Sequence, residues 1–142
     1  MNSIRKQYGV LPDEKLVIFT GRLIPGKGAH VLLEAYTKMR NKEKCVLMFV
    51  GSQLYGKNVE DNYLKRLNEI SGKYEKRIFF TGFIPYEEIS NYYRASNIGV
   101  IPSLMEDACP LTVIECLRYG VPVITTDSGG IPEIVDEKCS FV

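Results

Sequence analysis

Five short, almost wholly apolar runs recur along this chain, and the stretches between them carry helical periodicity. "KLVIFTG" ends at Gly21, "CVLMFVG" at Gly51 and "RIFFTG" at Gly82; "IGVIPS" is stopped by Pro102, and "PVITTD" comes soon after Gly120. Neighbouring residues on a strand point to opposite faces, so a run that is apolar at successive positions suits a strand buried on both sides. Of the intervening segments, "GAHVLLEAYTKMRNK" sets Val31, Leu32, Ala35, Tyr36 and Met39 on one stripe, and "VEDNYLKRLNEISGKY" does the same with Val59, Tyr63, Leu64, Leu67 and Ile70. "PYEEISNYYRAS" opens on Pro85, a good first helical residue, and brings Ile89 and Tyr93 to one side. "PLTVIECLRYG" turns Leu111, Ile114 and Leu117 inward and closes at Gly120, and "SGGIPEIV" reads as a glycine turn before a short helix. This alternation predicts a Rossmann-like three-layer α/β/α domain, with a parallel sheet covered by helices on both faces and right-handed crossovers. A sixth strand begins in "EKCSFV", and only a short polar lead-in precedes Lys15, so both ends are expected to be cuts made in a longer protein.

Composition narrows the function classes. At 142 residues, 45% hydrophobic and 25% charged, the chain suits one soluble domain. A formal net charge of +1 gives no bulk field for nucleic acid or an anionic membrane, so any anion must be recognised locally. Cys45, Cys109, Cys116 and Cys139 form no C-x-x-C pair, and His30 has no cysteine beside it. Neither zinc nor a disulfide framework is expected, and reduced thiols in the cytosol fit better. The N-terminus lacks the apolar core of a signal peptide, and no run is long enough to span a bilayer.

In such a sheet ligands bind beyond the carboxyl ends of the strands. After the first strand comes "GRLIPGKG", in which Arg22 and Lys27 flank a Pro-Gly turn leading into a helix. Two cations beside glycines and helix N–H groups can grip a phosphate. The spacing is neither G-x-x-x-x-G-K-[ST] nor G-x-G-x-x-G, and a solvated loop with two surface cations fits it as well. After the fourth strand, Pro110 suits the first helical position, and the N–H groups of Leu111 and Thr112 then favour an anion. Glu115 lies about 7.5 Å further along the axis, a reasonable offset from a phosphate to its ribose, and a carboxylate accepts paired hydrogen bonds from a diol. Glu106 and Asp107 stand just before this helix, where capping explains carboxylates equally well. Gly129 and Gly130 let backbone approach a ligand or simply make a tight turn.

Together, "GRLIPGKGAHVLLEA", "FVGS", "FTGFIPYEEISNYYRASNIGVIPS" and "DACPLTVIECLRYGVPVITTDSGGIPEIV" resemble the C-terminal, donor-binding half of retaining GT-B glycosyltransferases of the group-1, family-4 type. The resemblance runs from Lys15 onward. It implies that the acidic–x7–Glu motif of the family falls on Asp107 and Glu115, with Glu115 on the donor ribose and Asp107, or Glu106 before it, facing the donor sugar near the reacting centre. It puts Arg22 and Lys27 on the donor diphosphate. Kin often carry Phe-Gly where this chain has Cys109-Pro110, so Leu111 and Thr112 are left with more of the anion contact. Gly21 and Gly51 match glycines that leave room for the nucleotide, Ile84 a position lining the base pocket, and Gly129 and Gly130 a turn bordering the site.

The same resemblance implies a nucleotide-sugar substrate, retention of anomeric configuration, no cofactor and no obligatory metal. Residues 1–142 would be a single donor-binding domain. An N-terminal domain holding a glycan or lipid acceptor, and a C-terminal helix, would lie outside them. The piece alone is expected to be inactive, and its parent to work in polysaccharide or cell-envelope synthesis, in the cytoplasm or at the inner face of the membrane, with any membrane association through the parent. Two other classes compete: a nucleotide-binding or interaction module without transferase activity, and a sugar-nucleotide epimerase-like domain. A receiver-like signalling domain is more distant, because its acidic cluster should follow the first strand, where "GRLIPGKG" is basic.

Overall fold

The computed structural model describes residues 3–53, 62–74, 76–106, 110–136 and 140–141. One six-stranded sheet carries β1 (Lys15–Thr20), β2 (Cys45–Val50), β3 (Ile78–Gly82), β4 (Ile98–Ile101), β5 (Val123–Thr125) and β6 (Ser140–Phe141) in the order β3-β2-β1-β4-β5-β6. Every strand pairing is parallel. Each of the five apolar runs became a strand, and the sixth begins where "EKCSFV" announced it. The helices are α1 (Ser3–Gln7), α2 (Ala29–Lys38), α3 (Asn62–Ser71), α4 (Tyr86–Ala95), α5 (Leu111–Arg118) and α6 (Ile131–Ile134).

Strand alternation divides the core in two. Leu16, Ile18, Val46 and Met48 meet Tyr92, Tyr93 and Ala95 of α4 and Val113 and Cys116 of α5. On the other face Val17, Phe19, Leu47 and Phe49 meet Ala29, Leu33 and Tyr36 of α2 and Leu67 of α3. With apolar contacts on both faces, β1 and β2 keep polar residues to their ends, as Lys15 and Thr20 show, which is why their sequences run uninterrupted between. Pairing is uneven along the sheet. Six registered pairs join β1 to β2, but only Val17↔Ile98 and Ile18↔Gly99 join β1 to β4.

The expected helical stripes need correction in two places. On α2, Leu32 and Tyr36 are buried as expected, together with Ala29 and Leu33, but Val31, Ala35 and Met39 are exposed. They stand on the side of α2 toward β4 and β5. There they line an apolar groove of about 390 Å³ with Ile98, Val100 and Ile124. On α5, Val113 and Cys116 point inward, Leu111 is 64% and Ile114 39% exposed, and Leu117 is half-buried. The inward stripe has the same i, i+3 spacing but is shifted by two residues. Cys116 sits against Gly99, where an added Cβ would stand 2.5 Å from its sulfur, so the contact leaves little room for a larger side chain. Val59 lies outside the described residues.

The polar lead-in has more structure than its composition implies. Arg5 of α1 donates to the carbonyls of Ala95, Leu11 and Glu14 and to Oδ1 of Asn97, which also accepts the Leu16 N–H. Glu14, 4% exposed, accepts from the Leu11 N–H and pairs with Arg77. Burial pushes the Glu14 carboxyl up, but the Arg77 hydrogen bond, the Leu11 N–H and the charges of Arg77 and Arg5 outweigh it, leaving the group below its ordinary 4.5. A depressed carboxylate adds stability that is present above its unfolded value and lost as pH falls through its folded one. Acid titration followed by circular dichroism is therefore expected to cost the wild type more stability below about pH 4.5 than it costs Glu14→Gln. Parallel acid profiles would exclude this contribution.

Candidate functional site

The chain runs outward through β1, β2 and β3 and then returns to β4 on the other side of β1, so the loops after β1 and β4 part company. A crevice at that reversal is where open α/β sheets bind ligands. Two hollows lie there. The first, about 200 Å³, is bounded by Thr20, Gly21, Lys27, Ser103, Pro110, Leu111 and Thr112. The second, about 170 Å³, is bounded by Gly21, Arg22, Gly51, Ser52, Phe83 and Ile84. Gly21 borders both, so the two hollows adjoin at that residue.

The loop after β1 is held firmly. Leu23 is 1% exposed and its N–H donates to the Ser52 carbonyl. Pro25–Lys27 makes one tight helical turn, closed by the Gly28 N–H on the Pro25 carbonyl. Gly28 has φ 74°, and a Cβ there would stand 1.8 Å from the Pro102 carbonyl oxygen. Only glycine fits that left-handed position pressed against the loop after β4. The Leu104 N–H donates to the Gly26 carbonyl from the same side. Gly51 has a reason of its own: a Cβ on it would come within 2.0 Å of the Gly21 carbonyl oxygen. Its small size is required by backbone packing whether or not a ligand is present.

The loop after β4 is tied both to itself and to the loop after β5. Ser103 Oγ and Ser128 Oγ each donate to the Met105 carbonyl at 2.9 Å, and Thr126 Oγ1 donates to the Ser103 carbonyl at 2.7 Å. Pro110, with φ −73° and ψ 89°, stands one residue before α5 and not at its first helical position as expected. A ψ in the extended range keeps it outside the helix while its carbonyl accepts the Val113 N–H. The first N–H groups of a helix have no carbonyl within it to bond, and here that end borders the first hollow.

Glu115 borders neither hollow directly. It is half-buried one turn into α5, where its Oε2 accepts a 2.6 Å hydrogen bond from the Tyr93 hydroxyl. Tyr93 is fully buried, and its oxygen is also 2.8 Å from Thr20 Oγ1. Burial, followed by the hydrogen bond to Glu115, pushes the Tyr93 phenol far above its ordinary range. Burial also pushes the Cys116 thiol up to about 12, with the Glu115 charge adding to it, so this cysteine is a packing residue.

The expected site residues thus fall into three groups. Lys27, Leu111 and Thr112 meet in the first hollow, Arg22, Gly51 and Ile84 in the second, and Gly21 in both. Glu106 is exposed and borders neither hollow; nor do exposed Gly129 and buried Gly130, although Ser128 beside them is tied to the Met105 carbonyl. Asp107 lies outside the described residues. Sequence reasoning missed Thr20, Ser52, Phe83 and Ser103, and it read Tyr93 as core alone. A signal was available for Tyr93, since a buried tyrosine needs a partner for its hydroxyl. Among the described residues no group of three or more His, Cys, Asp or Glu is placed to hold a metal ion, and no helix is long and apolar enough to cross a membrane.

Comparison with known proteins agrees with this architecture. Spore coat protein SA of Bacillus subtilis is 32% identical over 135 residues, which are 94% of this chain and 36% of that protein. The D-inositol 3-phosphate glycosyltransferase of Corynebacterium glutamicum is 33% identical over 135 residues, 94% of this chain and 32% of its own. Anabaena Alr3699/HepE, solved in complex with UDP, has a TM-score of 0.84 at 26% identity, covering 99% of this chain and 37% of that one. It has also been solved in complex with UDP-glucose. The chain spans about a third of the length of the curated relatives it matches. The family model for glycosyl transferases group 1 matches residues 1–140, so the chain belongs to that family and carries the Rossmann-like fold of one half of a GT-B glycosyltransferase.

Proposed function

We propose that this domain binds the nucleotide-diphosphate sugar from which a group-1 glycosyltransferase takes its glycosyl group, and that transfer to a glycan or lipid acceptor needs a second domain. The observation that carries the reading is the pair of hollows beyond β1 and β4 that share Gly21, with Lys27 and the start of α5 at one and Arg22 at the other. HepE, which shares the fold, has been solved with UDP and with UDP-glucose, and this supports a uridine nucleotide as the first donor to try.

In this reading the diphosphate lies between Lys27, Arg22 and the N–H groups of Leu111 and Thr112. Ile84 and Gly51 border the base, and Glu115 takes the ribose diol. Breaking the sugar–phosphate bond leaves negative charge on the departing diphosphate. Fixed cations and helix N–H groups strengthen their hold as that charge builds, which lowers the barrier. With that field supplied by the chain, no metal is required. Asp107 or Glu106 faces the sugar, the configuration at the anomeric carbon is retained, and the product belongs to a polysaccharide or cell-envelope glycan made on the cytoplasmic side of the membrane.

Calorimetric titration with UDP, ADP and GDP tests the reading. Arg22→Ala and Lys27→Ala are each expected to weaken the best of these ligands about tenfold or more, the scale of one charge-assisted hydrogen bond. The matching nucleoside should bind as before, because it has no phosphate to lose. Parallel loss for nucleotide and nucleoside would remove the phosphate role. Excess EDTA should leave the nucleotide affinity unchanged, and a requirement for a divalent cation would overturn the metal-free account.

A further inference from the structure

We propose that Tyr93 is a positioning residue for the nucleotide: its buried hydroxyl, linked to Thr20 at the floor of the first hollow, fixes the Glu115 carboxylate in the orientation that receives the ribose diol. The inference rests on the proposal that Glu115 takes the ribose.

The geometry dictates the direction of the hydrogen bonds. A phenol has one hydrogen and a carboxylate has none, so Tyr93 donates to Glu115 Oε2 at 2.6 Å. Its oxygen is then left to accept from the Thr20 hydroxyl at 2.8 Å. A three-membered chain thus runs from the last residue of β1, through α4, to the middle of α5. Its first member borders the hollow, and its last is half-buried one turn into α5, behind the N–H groups that do border it.

The ring is as constrained as the hydroxyl. It stacks on Tyr119, with centroids 5.6 Å apart and planes 11° from parallel. The Arg94 and Arg118 guanidinium groups flank the Tyr119 ring at 5.5 and 6.0 Å. Glu115 and Tyr119 are four residues apart, one turn along the same face, so Tyr93 grips α5 at two points with one rigid side chain. Phenylalanine would fill the same space and keep the stack. What the hydroxyl adds is a fixed Glu115, with Oε1 left for the diol. A free glutamate has several rotatable bonds to freeze on binding, and a carboxylate already held loses less.

The test separates orientation from packing. Dissociation constants are measured for the best-binding of UDP, ADP and GDP and for its 2′,3′-dideoxy counterpart, in the wild type, Tyr93→Phe, Glu115→Ala and the double variant. The wild type should prefer the hydroxylated ligand about ten- to hundredfold. Glu115→Ala should abolish that preference, and Tyr93→Phe should cut it about three- to tenfold while leaving the dideoxy ligand unchanged. The double variant should match Glu115→Ala, because Tyr93 acts only through Glu115. A purely structural role would lower the melting temperature without moving the preference.

If Tyr93→Phe keeps the full preference, the positioning role is overturned and the ribose assignment stands. If Glu115→Ala keeps it, the ribose assignment falls and takes this inference with it, as it also does if none of the nucleotides binds. Should Tyr93→Phe not fold, Thr20→Val removes the donor that anchors the phenol oxygen, so that its hold on Glu115 is loosened, and the preference is read in the same way. A reduced preference supports the chain of hydrogen bonds, and an unchanged one overturns it.

Discussion

Residues 1–142 alone, mixed with UDP-glucose and a glycan or lipid acceptor, are expected to release product at a rate far below that of a full-length group-1 enzyme assayed beside them. On the proposed division of labour, this domain supplies the leaving-group side of the reaction, and another domain holds the nucleophile. Holding two reactants in attack geometry, with water excluded, contributes about 7–11 kcal/mol to lowering a barrier, and a domain that binds one reactant forgoes nearly all of it. No single carboxylate, Glu106 or Asp107 included, offsets a term of that size. The measurement is product formation by chromatography over a long incubation, with nucleotide binding checked in the same sample. Turnover close to that of the longer enzyme would place the acceptor site within these residues, and the two-domain proposal would be abandoned.

The next largest effect is expected at Gly28. Substitution by alanine forces a left-handed backbone on a residue with a Cβ, which costs roughly 1–2 kcal/mol by itself. It also drives that carbon to 1.8 Å from the Pro102 carbonyl oxygen, which is backbone and cannot swing away. The sum is expected near 3 kcal/mol, in the range of strained or overpacked positions, and a fall in melting temperature on the order of 10 °C. Function should suffer too, since Lys27 is the adjacent residue and the loop after β4 must shift. Gly72→Ala is the control, because a Cβ there would meet nothing within 4 Å. Equal melting temperatures for the two variants would show that the loop after β1 yields without cost.

The strands were legible because a parallel strand buried on both faces has one sequence solution, an unbroken apolar run, and "CVLMFV" has no other plausible home. Their ends were legible too, and since the ends locate the crevice, Lys27, Leu111 and Thr112, which meet in the first hollow, could be picked out from sequence. Helix orientation was less legible. Along "LTVIECLR" the apolar residues are dense enough that Leu111 with Ile114 and Val113 with Cys116 offer rival i, i+3 stripes. The space beside Gly99 decides between them, and that is a tertiary fact. Helix α1 was missed because its five residues carry no stripe and are held by Arg5 reaching to Ala95, 90 positions away. The partnership of Tyr93 with Glu115 was hidden for the same reason, since the two stand 22 positions apart with a whole strand between them.

The seam between β1 and β4 has a further consequence. Only two registered pairs hold it, yet the hollow that would receive the diphosphate takes Thr20, Gly21 and Lys27 from one side of it and Ser103, Pro110 and Thr112 from the other. A nucleotide lodged there would act as a staple across a sparsely stitched line at the middle of the sheet. Saturation at a hundred times the dissociation constant stabilises a folded protein by about 2.7 kcal/mol. The amides that gain most protection from deuterium exchange should then be those of β1 and β4, with the well-paired β1–β2 side changing less. The sheet would be completed mechanically by its own substrate.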